Sequence, residues 1–297
     1  MSVIESIPYE ELGRPIRGPE ALTDDWRRFW HLTFNIARTQ WKLRFFGSVL
    51  GYFWQLARPL MMFGVLWVFF TKIGHIGSGK GSGPGQPEHF YGAQLLGSIV
   101  LFTFFQEATS TAVRSVVENE AMVRKIQFPR MVIPLANVLL ALFNLGLNLI
   151  VVFIFALGSG VHPMAGWAEL PLLVLMLAIL AAGVAMLLSA LYVYFRDVAP
   201  IWDVVSQILF YASPVIIPLS AIEVHLSRTV LHLYMLSPLA TVLQQFRHAV
   251  INRATPSAAN ALGGTSHLLG PILVVLAIFA LGFWVFNRTA PHVAENL

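Results

Sequence analysis

Six long apolar stretches follow one another along the 297-residue chain, with little charge inside them. They run over about 49–73, 91–112, 131–157, 170–195, 198–217 and 268–286. Each is near or above the ~20 residues that carry a helix across the hydrocarbon core of a bilayer. None alternates polar and apolar positions in the ~10-residue blocks of a membrane barrel strand. The bilayer core offers no water to backbone amides, so each stretch is expected to be helical. The pattern predicts an all-α integral membrane protein with six transmembrane helices, in a domain over 47–290.

The flanks differ. Residues 1–21 are polar and prolyl, with no apolar core of a cleavable leader. Thr23-Asp24-Asp25 then suits a helix start, with carboxylates at the favourable end of the dipole. At about 100° per residue, Arg28, His31, Asn35, Arg38, Thr39 and Lys42 share one arc. Trp26, Phe29, Trp30, Phe34, Trp41 and Phe45 lie on the other side, with Leu32, Ile36 and Leu43. Arg44 interrupts that apolar face and is read as snorkelling. The basic, aromatic, amphipathic pattern predicts an interfacial helix within an N-terminal cytoplasmic region, 1–46.

The segment between the fifth and sixth stretches, about 218–266, is different again. It holds two apolar runs too short to span comfortably and is broken by Pro218 and Pro238, with Pro214 just before it. Runs of 10–14 apolar residues read as re-entrant or interfacial helices. Irregular backbone at membrane depth needs protein or a water-filled path around it. A path and a packed extracytoplasmic cap are both open readings.

Charge sets the orientation. Seven basic residues (Arg14, Arg17, Arg27, Arg28, Arg38, Lys42 and Arg44) precede the first span. Arg114, Arg124, Lys125 and Arg130 lie between spans two and three, Arg196 between four and five, and Arg288 at the end of six. The positive-inside rule places all of these in the cytoplasm, with both termini and the tail 291–297. Arg228, Arg247 and Arg253 go against the trend, in a longer outer segment where the rule is weaker. The net charge of +4 is therefore read as affinity for anionic lipid, not nucleic acid.

Hydrophobic residues make up 57% of the chain and charged residues 11%, which leaves no room for a separate soluble catalytic domain. There is no cysteine, so thiolate chemistry and zinc–thiolate sites are excluded. Gly74–Gly81 approaches the phosphate-cradling pattern GxxxxGK[ST] but has Gly81 where the magnesium-binding hydroxyl belongs, and it follows a membrane helix, not a strand. The chain is not expected to hydrolyse ATP. The histidines are scattered and neither HExxH nor GxSxG occurs. Three ionisable residues fall in or near spans. Arg58 is read as snorkelling or pairing at the interface, with a role near an anionic substrate as the alternative. Glu107 is read as an interhelical or interfacial hydrogen-bonding group rather than a proton or substrate group, and Asp203 as a helix-dipole partner one turn past Pro200.

The order of short motifs resembles one family. Leu50-Gly51-Tyr52-Phe53-Trp54, followed by Pro59-Leu60, forms the entry to the first span. Val123-Arg124-Lys125-Ile126-Gln127-Phe128-Pro129-Arg130 precedes the third, and Ile133-Pro134-Leu135 follows. Phe195-Arg196-Asp197 separates the fourth and fifth, Ser213-Pro214-Val215 ends the fifth, and Ser237-Pro238-Leu239 leads to Phe246-Arg247. Together they resemble the membrane subunit of ABC-2 type exporters, in the branch that exports polysaccharides, O-antigens and teichoic acids. Ser237, where the family usually has Asn, and Arg58 before the family proline are departures.

The resemblance implies a homodimer in the plasma or inner membrane, joined to two copies of a cytoplasmic ABC ATPase. It implies no cofactor on this chain, with ATP and magnesium on the partner. Glu118, Asn119, Glu120, Met122, Arg124 and Lys125 would form the coupling segment that docks on the ATPase. Ser213, Pro214, Pro218 and Pro238 would belong to an extracytoplasmic gate. The substrate would be a lipid-linked glycan, for which Phe102, Phe104, Phe105, Phe210 and Tyr211 are candidate path-lining residues, because aromatic faces stack on sugars. Helix packing competes with that role for most of them. A drug or lipid exporter of the same fold, and more distantly a glycan-modifying membrane enzyme, are the alternatives.

Overall fold

A computed structural model describes residues 26–45, 51–75, 86, 89–120, 129–223 and 227–289. All regular structure among them is helical. The long helices are α1 (Trp26–Phe45), α2 (Gly51–Val68), α3 (Tyr91–Glu118), α4 (Val132–Gly158), α5 (Leu170–Tyr194) and α6 (Val198–Ala212). Short helices follow: α7 (Leu219–Glu223), α8 (Arg228–Met235), α9 (Pro238–Phe246) and α10 (Ala258–Ala261). The last long helix is α11 (Leu269–Thr289). A π-helical turn, Phe69–Ile73, extends α2, and another, Arg247–Ile251, extends α9.

Four helical segments are long and apolar enough to cross a membrane: Phe53–Ile73, Val132–Gly158, Ala165–Tyr194 and Thr265–Thr289. The other two expected spans differ for separate reasons. Helix α3 has 28 residues, ample length, but carries Gln94, Gln106, Glu107 and Arg114. Gln94 and Glu107 are accommodated because the helix is the core of the bundle, packed on α4 and α5, with Leu95, Leu96, Ile99 and Leu101 fully buried; Gln106 and Arg114 face outward. Helix α6 has 15 residues, or about 22 Å at 1.5 Å per residue, against a hydrocarbon core of ~30 Å. It stops at Ala212, five residues before the expected end at 217, because Ser213 precedes proline and is extended, with φ −87° and ψ 156°.

Helices α5 and α11 cross in close backbone contact. A Cβ placed on Gly282 would lie 2.0 Å from the Gly183 carbonyl oxygen, and one on Gly183 would lie 2.6 Å from the Phe279 Cα. Only glycine at both positions lets these backbones meet. The small residues fix the crossing point.

Helix α1 does not float free of the bundle. Phe29, Thr33 and Ala37 are buried, and α1 runs along α4. Phe34 and Trp41 both meet the Phe143 ring edge-on. Trp26, Trp30, Phe34 and Leu43 remain exposed, so the helix divides its apolar residues between protein and surroundings. One apolar cluster gathers Phe29, Val116, Met131, Ile133, Met186, Val193 and Phe286, and so joins α1, α3, α4, α5 and α11 at one end of the bundle. At the opposite end a second cluster, including Leu219, Leu231, Met235, Ala240 and Leu262, holds the short helices together as a cap.

Candidate functional site

Two polar centres fasten α3 to its neighbours. The first is built on Glu107. Its Oε1 accepts from Arg44 Nη1 at 2.6 Å and from Asn144 Nδ2 at 2.9 Å, and its Oε2 accepts from Gln55 Nε2 at 3.1 Å. Asn144 Oδ1 in turn accepts from Trp41 Nε1 at 3.1 Å. Side chains from α1, α2, α3 and α4 thus meet at one carboxylate. The hydrogen-bonding reading of Glu107 holds. The reading of Arg44 as a snorkelling residue is corrected, because its guanidinium pairs with Glu107. A helical wheel could not show this: the partner lies 63 residues away in sequence.

The second centre is Arg247, which is 1% exposed. It sits in the π-turn after α9 and reaches two other elements. Its Nε donates to Ser98 Oγ on α3 at 3.1 Å, and its Nη2 donates to the Val215 carbonyl at 2.8 Å. Nη1 has no hydrogen-bond partner. No carboxylate pairs with Arg247 among the described residues. Beside it, Tyr91 donates its hydroxyl to the Ile216 carbonyl at 3.0 Å. Two consecutive carbonyls of the turn after α6 are therefore held by side chains from elsewhere. A bend at proline frees backbone acceptors, and a buried acceptor left unsatisfied is costly.

The expected gate residues sit around this clamp. Ser213, Pro214 and Pro218 are buried in the clamped turn and its continuation. Pro238 is buried too, at the first turn of α9, the helix whose extension carries Arg247. Packing tightens the same contact: a Cβ on Gly97 would strike the Phe246 ring at 2.2 Å. Ser98 and Tyr91 were not singled out from the sequence, and Arg247 was noted there only as a charge against the trend and in the Phe246-Arg247 motif. The available signal for the clamp was a basic residue on the side expected to disfavour positive charge, next to a proline-broken helix.

The aromatic candidates separate into two groups. Phe102, Phe104, Phe105 and Phe210 are buried. Phe102 meets Phe210 edge-on at 5.1 Å, and Phe105 meets Trp202, whose Nε1 donates to Thr109 Oγ1 at 3.1 Å. Phe102, Phe105 and Phe210 fill the α3–α6 contact in this conformation, and Phe104 is buried in the bundle core. Tyr211 is exposed and lines a pocket of about 350 Å³ with Leu66, Phe70, Ser213, Ile216 and Tyr234.

Of the expected coupling residues, Glu118 ends α3 and is exposed. Asn119 caps it, its Nδ2 donating to the Ser115 carbonyl at 2.7 Å, and Glu120 follows half-buried. Met122, Arg124 and Lys125 lie outside the described residues. Most of the glycine-rich segment after Gly74 does as well. Among the described residues no group of His, Asp and Glu could hold a metal ion.

A helical bundle of this length, with four helices long and apolar enough to cross a membrane, has the make-up of a multi-pass membrane protein. The profile of the ABC-2 type transporter family matches residues 31–251, so the chain belongs to that family. It is 24% identical over 257 residues to an "O-antigen export system permease protein RfbA" from Klebsiella pneumoniae, covering 86% of this chain and 91% of the relative. A protein of the same name from Myxococcus xanthus is 21% identical over 270 residues, covering 90% of this chain and 95% of the relative. The matched family span includes both polar centres.

Proposed function

We propose that this chain is the permease subunit of an ATP-driven exporter that moves a lipid-linked polysaccharide out of the cytoplasm. The observation that carries the reading is near-full-length similarity to relatives named as O-antigen export permeases. The geometry supports it. A bundle with its clamped turn at one end and its exposed α3 terminus at the other suits a membrane conduit moved from one side. Six spans are proposed, with α3 as the protein-enclosed second and α6 as a short fifth. In this arrangement α8, α9 and the π-turn form the re-entrant outer cap.

In the same reading two copies of the chain sit in the inner membrane with both termini in the cytoplasm, joined to two ABC ATPases. Glu118 and Glu120 belong to the docking segment, and α1 lies in the interface beside it. Closure of the ATPases on ATP would push that segment and α1. The Glu107 centre would pass the displacement to α2, α3 and α4. Ser98 lies nine residues from Glu107 on α3, about 13 Å along the axis, so the same helix reaches the Arg247 clamp.

Affinity purification from native membranes tests the partnership. Stoichiometric recovery of a nucleotide-binding ATPase is expected, and Glu118→Lys with Glu120→Lys should lower that recovery. Purification without any ATPase would overturn the assignment.

A further inference from the structure

The contact between α5 and α11 closes at Gly183 and Gly282, as described above, and on its cap side a space opens between the two helices. The wedge between them is a groove of about 320 Å³. Its walls are Leu172, Met176 and Ile179 on α5 and Ile272 and Leu276 on α11. Leu172, Ile272 and Leu276 are 66%, 43% and 50% exposed, so the groove opens sideways, where the bilayer would lie. The volume falls within the ~300–1,000 Å³ of small-molecule sites.

The groove has one charged end. Glu169 stands at its cap side, immediately before α5. Gln245 Nε2 donates to Glu169 Oε2 at 2.6 Å, and Gln245 Oε1 accepts the Ala258 N–H at 3.0 Å, which fixes the amide and so the carboxylate. No cation pairs with Glu169 among the described residues. Ten residues separate Glu169 from Ile179, about 15 Å of helix, which is half of the ~30 Å hydrocarbon core. The groove therefore has the length of one leaflet, an apolar floor and a negative mouth.

We infer that this groove binds a phospholipid of the outer leaflet whose headgroup carries a primary amine, with one acyl chain between α5 and α11 and the ammonium on Glu169. A primary ammonium donates hydrogen bonds to a carboxylate, a quaternary ammonium has none to give, and an anionic headgroup is repelled. The leaflet assignment rests on the orientation proposed above. Lipid binding itself does not depend on export, so the test separates the two.

The full chain is purified from vesicles containing equal amounts of phosphatidylethanolamine, phosphatidylcholine and phosphatidylglycerol, and the co-purified lipid is counted by native mass spectrometry. Wild type should retain the ethanolamine lipid over the choline lipid by about tenfold, the ratio expected of one charge-assisted hydrogen bond. Glu169→Gln should bring that ratio close to one while the total retained stays similar. Met176→Trp, which fills the groove, should lower the total retained. Should Met176→Trp fail to purify as a monodisperse protein, Leu172→Ser at the exposed wall replaces it, with the same expectation. Equal retention of the three lipids by wild type, or an unchanged ratio in Glu169→Gln, would overturn the proposal.

Discussion

Glu107 gathers a cation and two amides, and the Arg44 side chain that pairs with it is 36% exposed. Arg247 is enclosed and meets only neutral oxygens. Both centres fasten the same helix, α3, to elements distant in sequence, yet by opposite means. A pair that reaches water can part and re-form at small cost, since exposed ion pairs contribute only ~0.2–1 kcal/mol. A charge held in the interior without a counter-ion carries a desolvation cost of several kcal/mol. That cost is offset locally by hydrogen bonds to Ser98 and to a carbonyl of the proline turn. The contrast separates a joint that flexes from a clamp that holds.

The largest expected effect is at the clamp. Its two bonds are charge-assisted, at about 1.5–3 kcal/mol each, so Arg247→Met should release the turn. The chain has no cysteine, so Val215→Cys gives a single reporter thiol. In that background, Arg247→Met should speed labelling by a membrane-impermeant maleimide at least ~100-fold. Overall stability should fall by less than the two lost bonds, because removing the unpaired buried charge also removes its desolvation cost. Arg247→Lys should fall between, because one ammonium cannot span Ser98 and Val215 as a planar fork does. An unchanged labelling rate would remove the clamp from the account.

At the other centre the loss should be smaller and should appear as stability. Glu107→Ala strips the acceptor from Arg44, Gln55 and Asn144 and should cost about 1–3 kcal/mol in detergent unfolding. Glu107→Gln retains acceptor capacity and should cost less. Gly282→Ala, away from both centres, should cost a comparable ~1–3 kcal/mol by forcing α5 and α11 apart. The smallest change is expected from Arg44→Ala, ~0.2–1 kcal/mol, weakening further with salt. A loss from Arg44→Ala as large as that from Glu107→Ala would contradict the description of a flexible joint.

Helix positions were legible because apolar length is a local property. The expected starts and ends agree with α4, α5 and α11 to within three residues. The end of α6 was missed because continuing apolarity through Val215–Ile217 outweighed the break at Pro214 in the reading. The length of α3 was missed for the opposite reason, since Val113–Glu118 continues the helix while becoming polar. The two polar centres were only half legible. Glu107 stood out as a charge inside an apolar run, but its partners come from three other helices. Arg247 stood out as a charge on the disfavoured side, and nothing in its local sequence names Ser98 or Val215. Contacts between residues 32 and 149 positions apart depend on the packing of the whole bundle.

The central claim is export of a lipid-linked polysaccharide, and depletion of the chain in its native cell tests it most directly. Lipid-linked glycan is extracted from the inner and outer faces of the membrane and compared before and after depletion. The account predicts polymer accumulating on the cytoplasmic face with a matching loss outside. Unchanged distribution of every lipid-linked glycan after depletion would contradict it.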